Sequence, residues 1–147
     1  MQNSQTVSAL NELLKGEHMA IHIYERTKNV QADAQLREML SKFQGDHERH
    51  AGELTQRLQD LGGEPHAATG LAGAMADMGA IINAVRGPEH LIRQVYDGED
   101  KGLHAYEDRI DALDEASKAM VQQIMRDEHD HLQYFAARIN SEEQEHN

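Results

Sequence analysis

The sequence predicts an all-α protein built as a four-helix bundle, on three observations. A chain of 147 residues suits one domain with a core of its own. The helix formers Leu, Ala, Glu, Gln and Met are abundant on both sides of the two prolines, Pro65 and Pro88. Apolar residues recur at spacings of three and four, and no alternating strand pattern of useful length is present.

The first half of the chain predicts two helices, at about residues 4–28 and 33–61. The inward stripe of the first contains Leu10, Leu13, Glu17, Ala20 and Tyr24. The stripe of the second contains Leu36, Leu40, Phe43, His47, His50, Leu54 and Leu61. Gly62-Gly63 and then Pro65 are the stop signals that end it.

The second half predicts two more helices, at about 88–112 and 115–139, the third beginning at Pro88. The third stripe contains Leu91, Val95, Glu99, Gly102, Tyr106, Ile110 and Leu113, and the fourth contains Ser117, Val121, Ile124, Glu128, His131, Phe135 and Ile139. A crossover of about 25 residues, 62–87, joins the two halves, and its spaced apolar residues predict a short amphipathic helix at Leu71, Met75, Met78, Ile82 and Val85.

Composition excludes several classes of function. The 26 acidic and 14 basic residues give a net charge of -12, which argues against nucleic acid as a partner. The absence of cysteine excludes disulfides, thiolate metal sites and iron–sulfur clusters, so any metal needs oxygen and nitrogen ligands. The N-terminus lacks a signal-peptide pattern and no apolar run is long enough to span a membrane, so we expect a cytoplasmic protein without a membrane partner.

The two halves of the chain also resemble each other. Residues 16–25, GEHMAIHIYE, share five identities with residues 98–107, GEDKGLHAYE. Residues 46–50, DHERH, align with residues 127–131, DEHDH, at nearly the same offset. We interpret the halves as two copies of one helical hairpin, whose pseudo-twofold packing brings the middles of all four helices to one level.

Six polar residues occupy inward positions at that level: Glu17, His47, His50, Glu99, Glu128 and His131. Charged groups are rare in a core unless they are paired or bound to metal. Three carboxylates offset all but one of the charges of two divalent ions, and a hydroxide or oxide bridge could cancel the rest. Residues three apart on a helix face can bind one ion together. The pattern predicts a two-metal site.

Two tyrosines lie one heptad beyond the helix-centre glutamates, Tyr24 after Glu17 and Tyr106 after Glu99. Their hydroxyls could hydrogen-bond the ligand carboxylates or donate an electron, and plain buried tyrosines are the alternative. His22 and His104 also recur in both halves, but they lie roughly 140° around the helix from the glutamates, so we expect them outside the site.

These motifs resemble those of ferritin-like di-iron carboxylate proteins such as bacterioferritin and rubrerythrin. A Glu followed seven residues later by Tyr, and then a Glu-x-x-His or its near copy, occurs twice over about residues 8 to 140. The stretch GEDKGLHAYEDRI, following an LGGEP turn and a small-residue connector, is similar to a bacterial branch of that superfamily. The resemblance implies two metal ions, with Glu17 and Glu99 as terminal carboxylates, His50 and His131 as nitrogen ligands and Glu128 as a bridging carboxylate.

His47 departs from this pattern because it stands where the first Glu-x-x-His motif has its glutamate. A histidine there is expected to bind one ion and not to bridge two, so an asymmetric pair, one weakly bound ion, or zinc or copper instead of iron are alternatives. Asp46 and Glu48 point off the stripe and are poor substitutes for the missing carboxylate.

For function, the resemblance implies iron binding and Fe(II) oxidation with O2 or peroxide, in iron handling or oxidative-stress defence. Iron is the expected metal, with zinc, manganese and copper as alternatives, and a homo-oligomer is a further expectation. Two other hypotheses stay open: a non-catalytic or stress-associated bundle with a degenerate metal site, and an oxygenase-like enzyme for an organic substrate. The last requires a widened apolar channel beside the metals, which Gly102 would allow.

Overall fold

Four α-helices are present in the computed structural model of the chain, which describes residues 2–66 and 88–145. They are α1 (Gln2–Asn29), α2 (Ala34–Asp60), α3 (Pro88–Arg109) and α4 (Glu115–Glu145). A 3-10 turn, Ile110–Ala112, follows α3, and the described residues contain no strand. The predicted all-α bundle is confirmed. The predicted crossover helix at Leu71 to Val85 lies outside the described residues.

The helix ends follow from local capping chemistry. Asp33 caps α2, because its side chain accepts hydrogen bonds from the backbone N–H groups of Gln35 and Leu36. Beyond the end of α2, Gly62 adopts a φ of 77°, a left-handed conformation that favours glycine. The third helix was predicted to about residue 112, but its α-helical part ends at Arg109. The fourth was predicted to about residue 139, but α4 continues to Glu145.

Two apolar clusters fill the core and leave a polar layer between them. The first includes Leu10, Leu14, Leu54, Leu58, Leu113, Val121 and Ile124. The second includes Tyr24, Leu36, Leu40, Phe43, Ile92, Val95 and Phe135. Each helix contributes to both clusters, so the residues midway along each helix lie between them. The polar stripe residues predicted from the sequence occupy this intermediate level.

Packing of the helices follows the two-hairpin arrangement. Helix α1 packs against α2, and α3 packs against α4, while α1 also faces α3 and α2 faces α4. Side chains from all four helices can therefore meet at the centre. Within the described residues, no helix has a stretch both long and apolar enough to cross a membrane.

Candidate metal centre

All six predicted ligand residues lie together in the polar layer. Helix α1 contributes one, α2 two, α3 one and α4 two: Glu17, His47, His50, Glu99, Glu128 and His131. None of them is more than 4% exposed to solvent. Burial of six ionisable groups is costly unless they are paired, protonated or bound to a cation. Their contacts therefore define what the layer can do.

His47 lies at the centre of the cluster and contacts both halves of it. Its Nδ1 is 2.6 Å from Glu17 Oε2, and its Nε2 is 2.6 Å from Glu99 Oε1. The sequence led us to expect a histidine that serves one ion and cannot bridge two. In the metal-free chain, one ring nitrogen of His47 faces the glutamate of α1 and the other faces the glutamate of α3, so the number of ions that it serves stays a prediction.

Charges within the metal-free layer are arranged around His47. Burial disfavours the ionised form of Glu17, but the positive charge of His47 and hydrogen bonds from it hold the pKa of this carboxyl well below its usual range. The same balance, with a further hydrogen bond from His131, lowers the pKa of Glu99 to about 2. Burial opposes protonation of His47, yet Glu99 and Glu17 raise its pKa well above the usual value. His47 is therefore the internal cation of the metal-free site.

Glu128 has the opposite electrostatic environment. Burial, together with the negative charges of Glu17 and Glu99, raises the pKa of Glu128 well above its usual value. Folding therefore favours the protonated form of this carboxyl in the metal-free chain. A metal ion that binds at Glu128 has to displace that proton, so metal uptake at this residue is coupled to proton release.

The two heptad tyrosines cross the bundle to hold the glutamates of the opposite hairpin. Tyr24, on α1, donates a hydrogen bond to Glu99 on α3. Tyr106, on α3, donates one to Glu17 on α1 over 2.7 Å. Burial, and then the adjacent glutamates, raise the pKa of both tyrosines well above the usual value, so both stay protonated as donors. The interaction anticipated from the heptad spacing is present and is reciprocal between the hairpins.

Two aspartates that the sequence analysis set aside or did not consider hold the outer histidines. Asp127 Oδ2 lies 2.8 Å from His50 Nε2, and Asp46 Oδ2 lies 2.9 Å from His131 Nε2. A carboxylate on Nε2 fixes the tautomer of the ring and turns Nδ1 toward the centre of the layer. Asp46 is thus no substitute for a ligand, as predicted, but it positions one. The signal was present in the repeat, which aligns Asp46 with Asp127.

Arg49 ties the two aspartates together at the outer edge of the site. Its guanidinium donates a hydrogen bond of 2.8 Å to Asp127 and lies 3.5 Å from Asp46. Burial works against the ionised form of Asp127, but hydrogen bonds from His50 and Arg49 lower the pKa of this carboxyl. Asp127 can therefore stay charged and keep the His50 ring oriented.

Replacement of Asp127 by Asn tests the positioning role. We expect the affinity for a divalent metal to fall by about ten- to a hundredfold, because the neutral amide orients the His50 ring less strongly. Glu53→Gln is the matched control, since Glu53 also contacts Arg49, at 3.4 Å, but touches no candidate ligand. Competition against a chromogenic chelator measures both affinities, and equal affinities in the two variants would count against the role of Asp127.

The donor atoms fall into two groups that suit metal ions. In the described part of the chain, Glu17, His47, His50 and Glu128 form one group, and His47, Glu99 and His131 form the other. Within each group the ligand atoms all lie within 4.8 Å of one another. Three buried atoms of these groups make no hydrogen bond: His50 Nδ1, Glu99 Oε2 and Glu128 Oε2. An unpaired buried acceptor is unfavourable, and a coordinated cation would satisfy it. The residues present therefore fit divalent ions.

Comparison with known proteins agrees with this architecture. A solved structure described as ferritin-like, diiron-carboxylate proteins from Bacillus anthracis str. Ames has a TM-score of 0.70 and 17% sequence identity. The match covers 95% of this chain and 98% of that chain. The ferritin-like fold that the sequence motifs implied is thereby confirmed.

Sequence comparison assigns the family. No curated protein matches the chain. The model of a family described as a domain of unknown function, DUF2383, matches residues 5–112, which is more than half of the sequence. The chain therefore belongs to the DUF2383 family, with a ferritin-like helical bundle as its fold.

Proposed function

We propose that the protein binds two divalent metal ions, in the first place iron, and oxidises Fe(II) with O2 or peroxide. The observation that carries the proposal is the convergence of unpaired, buried donor atoms on one level of the bundle. Glu99 Oε2 and Glu128 Oε2 have no hydrogen-bond partner, and the nearest carboxylate oxygen to His50 Nδ1 is Glu17 Oε1, at 3.5 Å. Each of these residues lies on a helix that packs against both apolar clusters, which holds the donors at the level of the polar layer.

The two groups of donors differ in number, which supports an asymmetric pair of sites. The first group has four residues and the second has three, but His47 belongs to both groups, and a neutral imidazole has one lone pair and can bind only one ion. If His47 serves the first ion, that ion has four protein donors, and Glu99 and His131 remain for the second. A site with fewer than four protein donors leaves a position for an external ligand. We assign the oxidant to that side, at Glu99 and His131. Carboxylate and imidazole donors also suit zinc, manganese or copper, which are the alternative metals.

Each residue of the layer has a distinct task. Asp127 and Asp46 direct the Nδ1 atoms of His50 and His131 inward, while the tyrosines fix the rotamers of Glu17 and Glu99. His47 balances the glutamates in the metal-free chain and becomes a neutral donor when it loses its proton. Two Fe(II) ions held by these residues would supply one electron each, which with two protons is enough to reduce O2 to hydrogen peroxide or hydrogen peroxide to two water molecules.

Rapid mixing of the Fe(II)-loaded protein with O2 or peroxide tests the oxidation. We expect a ferric absorbance to form with wild-type protein much faster than in protein-free buffer, with two Fe(II) consumed for each peroxide reduced to water. A protein that binds iron but oxidises it no faster than buffer would instead be a non-catalytic metal-binding bundle. That result would reject the oxidase and retain the alternative hypothesis, which the departure at His47 favours.

Iron handling or oxidative-stress defence is the role that such an oxidation would serve. A cytoplasmic location and a homo-oligomer are consistent with this role and stay predictions.

A further inference from the structure

A cavity of about 250 Å³ lies between α1 and α3 and reaches the polar layer. Its walls are formed mainly by small or apolar residues: Leu13, Ala20, Ile23, Val95, Gly98 and Ala105. Its floor contains Glu17, Glu99 and Glu128. Glu12 and Lys101, which are exposed, also line it and place part of its rim at the surface. The cavity is therefore an approach from solvent to the candidate metal centre.

Two glycines of α3, Gly98 and Gly102, contribute to this space because they have no side chain to fill it. Gly98 lines the cavity, and a Cβ atom built there would meet no atom within 4 Å. One turn further along, a Cβ on Gly102 would lie 3.3 Å from Glu128 Oε2. Glycine is unfavourable inside a helix by about 1 kcal/mol relative to alanine. Gly102 thus keeps open the space beside an unpaired carboxylate oxygen.

The chemistry of the cavity indicates the class of molecule that it suits. Engineered apolar cavities of about 150 Å³ hold benzene, whereas sites for drug-sized ligands span about 300–1,000 Å³. A volume of 250 Å³ is therefore matched by a molecule with one ring or a short chain. The inner end of the cavity contains Glu99 and Glu128, residues that are 4% and 2% exposed and that each have one carboxylate oxygen without a hydrogen bond. One end of the bound molecule would therefore face the metal ligands.

We propose that this cavity binds a small, predominantly apolar organic molecule of about one-ring size beside the metal centre. The part of this inference that places the organic molecule next to metal ions rests on the proposed function. Binding of the organic molecule itself requires only the cavity. The widened apolar channel that an organic substrate requires is thus present at Gly102. Its walls come from both hairpins, so the ligand site belongs to the folded bundle and not to one hairpin alone.

Binding of fluorobenzene to the metal-free protein, followed by 19F NMR, tests the proposal. Gly98→Leu places a side chain in the cavity from α3, and Ala20→Phe does so from α1. Gly52→Leu is the matched control, because Gly52 is exposed on α2 and a Cβ there meets nothing within 4 Å. We expect one saturable site in wild type and Gly52→Leu, and affinity at least tenfold lower in both cavity variants.

The outcomes separate this proposal from the metal function. No saturable binding in the wild type, or equal affinity in both cavity variants and the control, overturns the ligand site whatever the iron content. Fe(II) binding measured on the same variants should stay at the wild-type number of ions per chain. Saturable fluorobenzene binding in a protein that takes up no iron supports the cavity and rejects the proposed metal centre.

Discussion

Replacing His47 with glutamate is expected to destabilise the metal-free protein by about 3–5 kcal/mol, the cost of leaving buried charges without their partner. In the wild type, His47 lies 2.6 Å from both Glu17 and Glu99 and compensates their charges. The variant would instead place four carboxyl groups in one buried layer. Metal binding should restore its stability, since the new side chain gives the first half of the chain the Glu-x-x-His motif that the second half has at Glu128 and His131.

Urea unfolding of the metal-free and metal-loaded proteins measures this effect. His22→Glu is the matched control, since His22 is exposed and should tolerate the same change with little loss. A His47→Glu protein as stable without metal as the His22→Glu control would show that His47 is not the internal cation.

The difference in unfolding free energy between the wild type and the His47→Glu variant should depend on pH. Because folding lowers the pKa values of Glu17 and Glu99, these two carboxylates stabilise the wild type fully above about pH 4.5. This stabilisation is lost as the pH falls through the pKa values of the folded state. Because folding raises the pKa of His47, the protonated imidazole stabilises the wild type fully below about pH 6.5. This stabilisation is lost as the pH rises through the pKa of the folded state. Both contributions are fully present between about pH 4.5 and pH 6.5, so the difference between wild type and variant should be largest in that window and shrink at lower pH.

Replacing Glu128 with leucine is expected to have the opposite effect on the metal-free protein, a gain of about 1–3 kcal/mol, the cost of a buried polar group without a hydrogen-bond partner. The pKa of Glu128 is higher in the folded chain than in the unfolded chain, so ionisation of this carboxyl at neutral pH favours unfolding. Below about pH 4.5 this destabilisation by Glu128 is absent, and it grows as the pH rises toward the raised pKa of the folded state. The stability gained by the Glu128→Leu variant should grow over the same pH range.

Urea midpoints of the metal-free proteins at pH 7 and pH 4 measure this gain, with Glu48→Leu on the exposed face of α2 as the matched control. A Glu128→Leu protein that is less stable than wild type at pH 7 would mean that the carboxyl is satisfied within the metal-free bundle.

Helical periodicity predicted the bundle well because the inward-facing residues of each helix recur at spacings of three and four along one stripe. All six polar residues assigned to the stripes are buried, and the internal repeat predicted the level at which they meet. The ends of α3 and α4 were less predictable, because a 3-10 turn and a continued helix differ by few local interactions.

The partners of the ligand residues were less accessible to sequence reasoning. Asp46 and Asp127 lie off the inward stripes and reach histidines across the interface between α2 and α4, a contact that only tertiary packing creates. The dual contact of His47 likewise depends on where the α1 and α3 glutamates meet its ring. The alignment of Asp46-His47 with Asp127-Glu128 marked these positions in both halves, without specifying that the contacts cross between hairpins.

The number of Fe(II) ions bound per chain tests the central claim most directly. Anaerobic equilibrium dialysis of the wild-type protein should show two saturable Fe(II) ions per chain. Glu128→Leu should bind the ion of the four-residue group more weakly, because it removes one of the donors to that ion. No saturable Fe(II) binding by the wild type, or two ions bound with unchanged affinity by Glu128→Leu, would contradict the assignment of this polar layer as a two-metal centre.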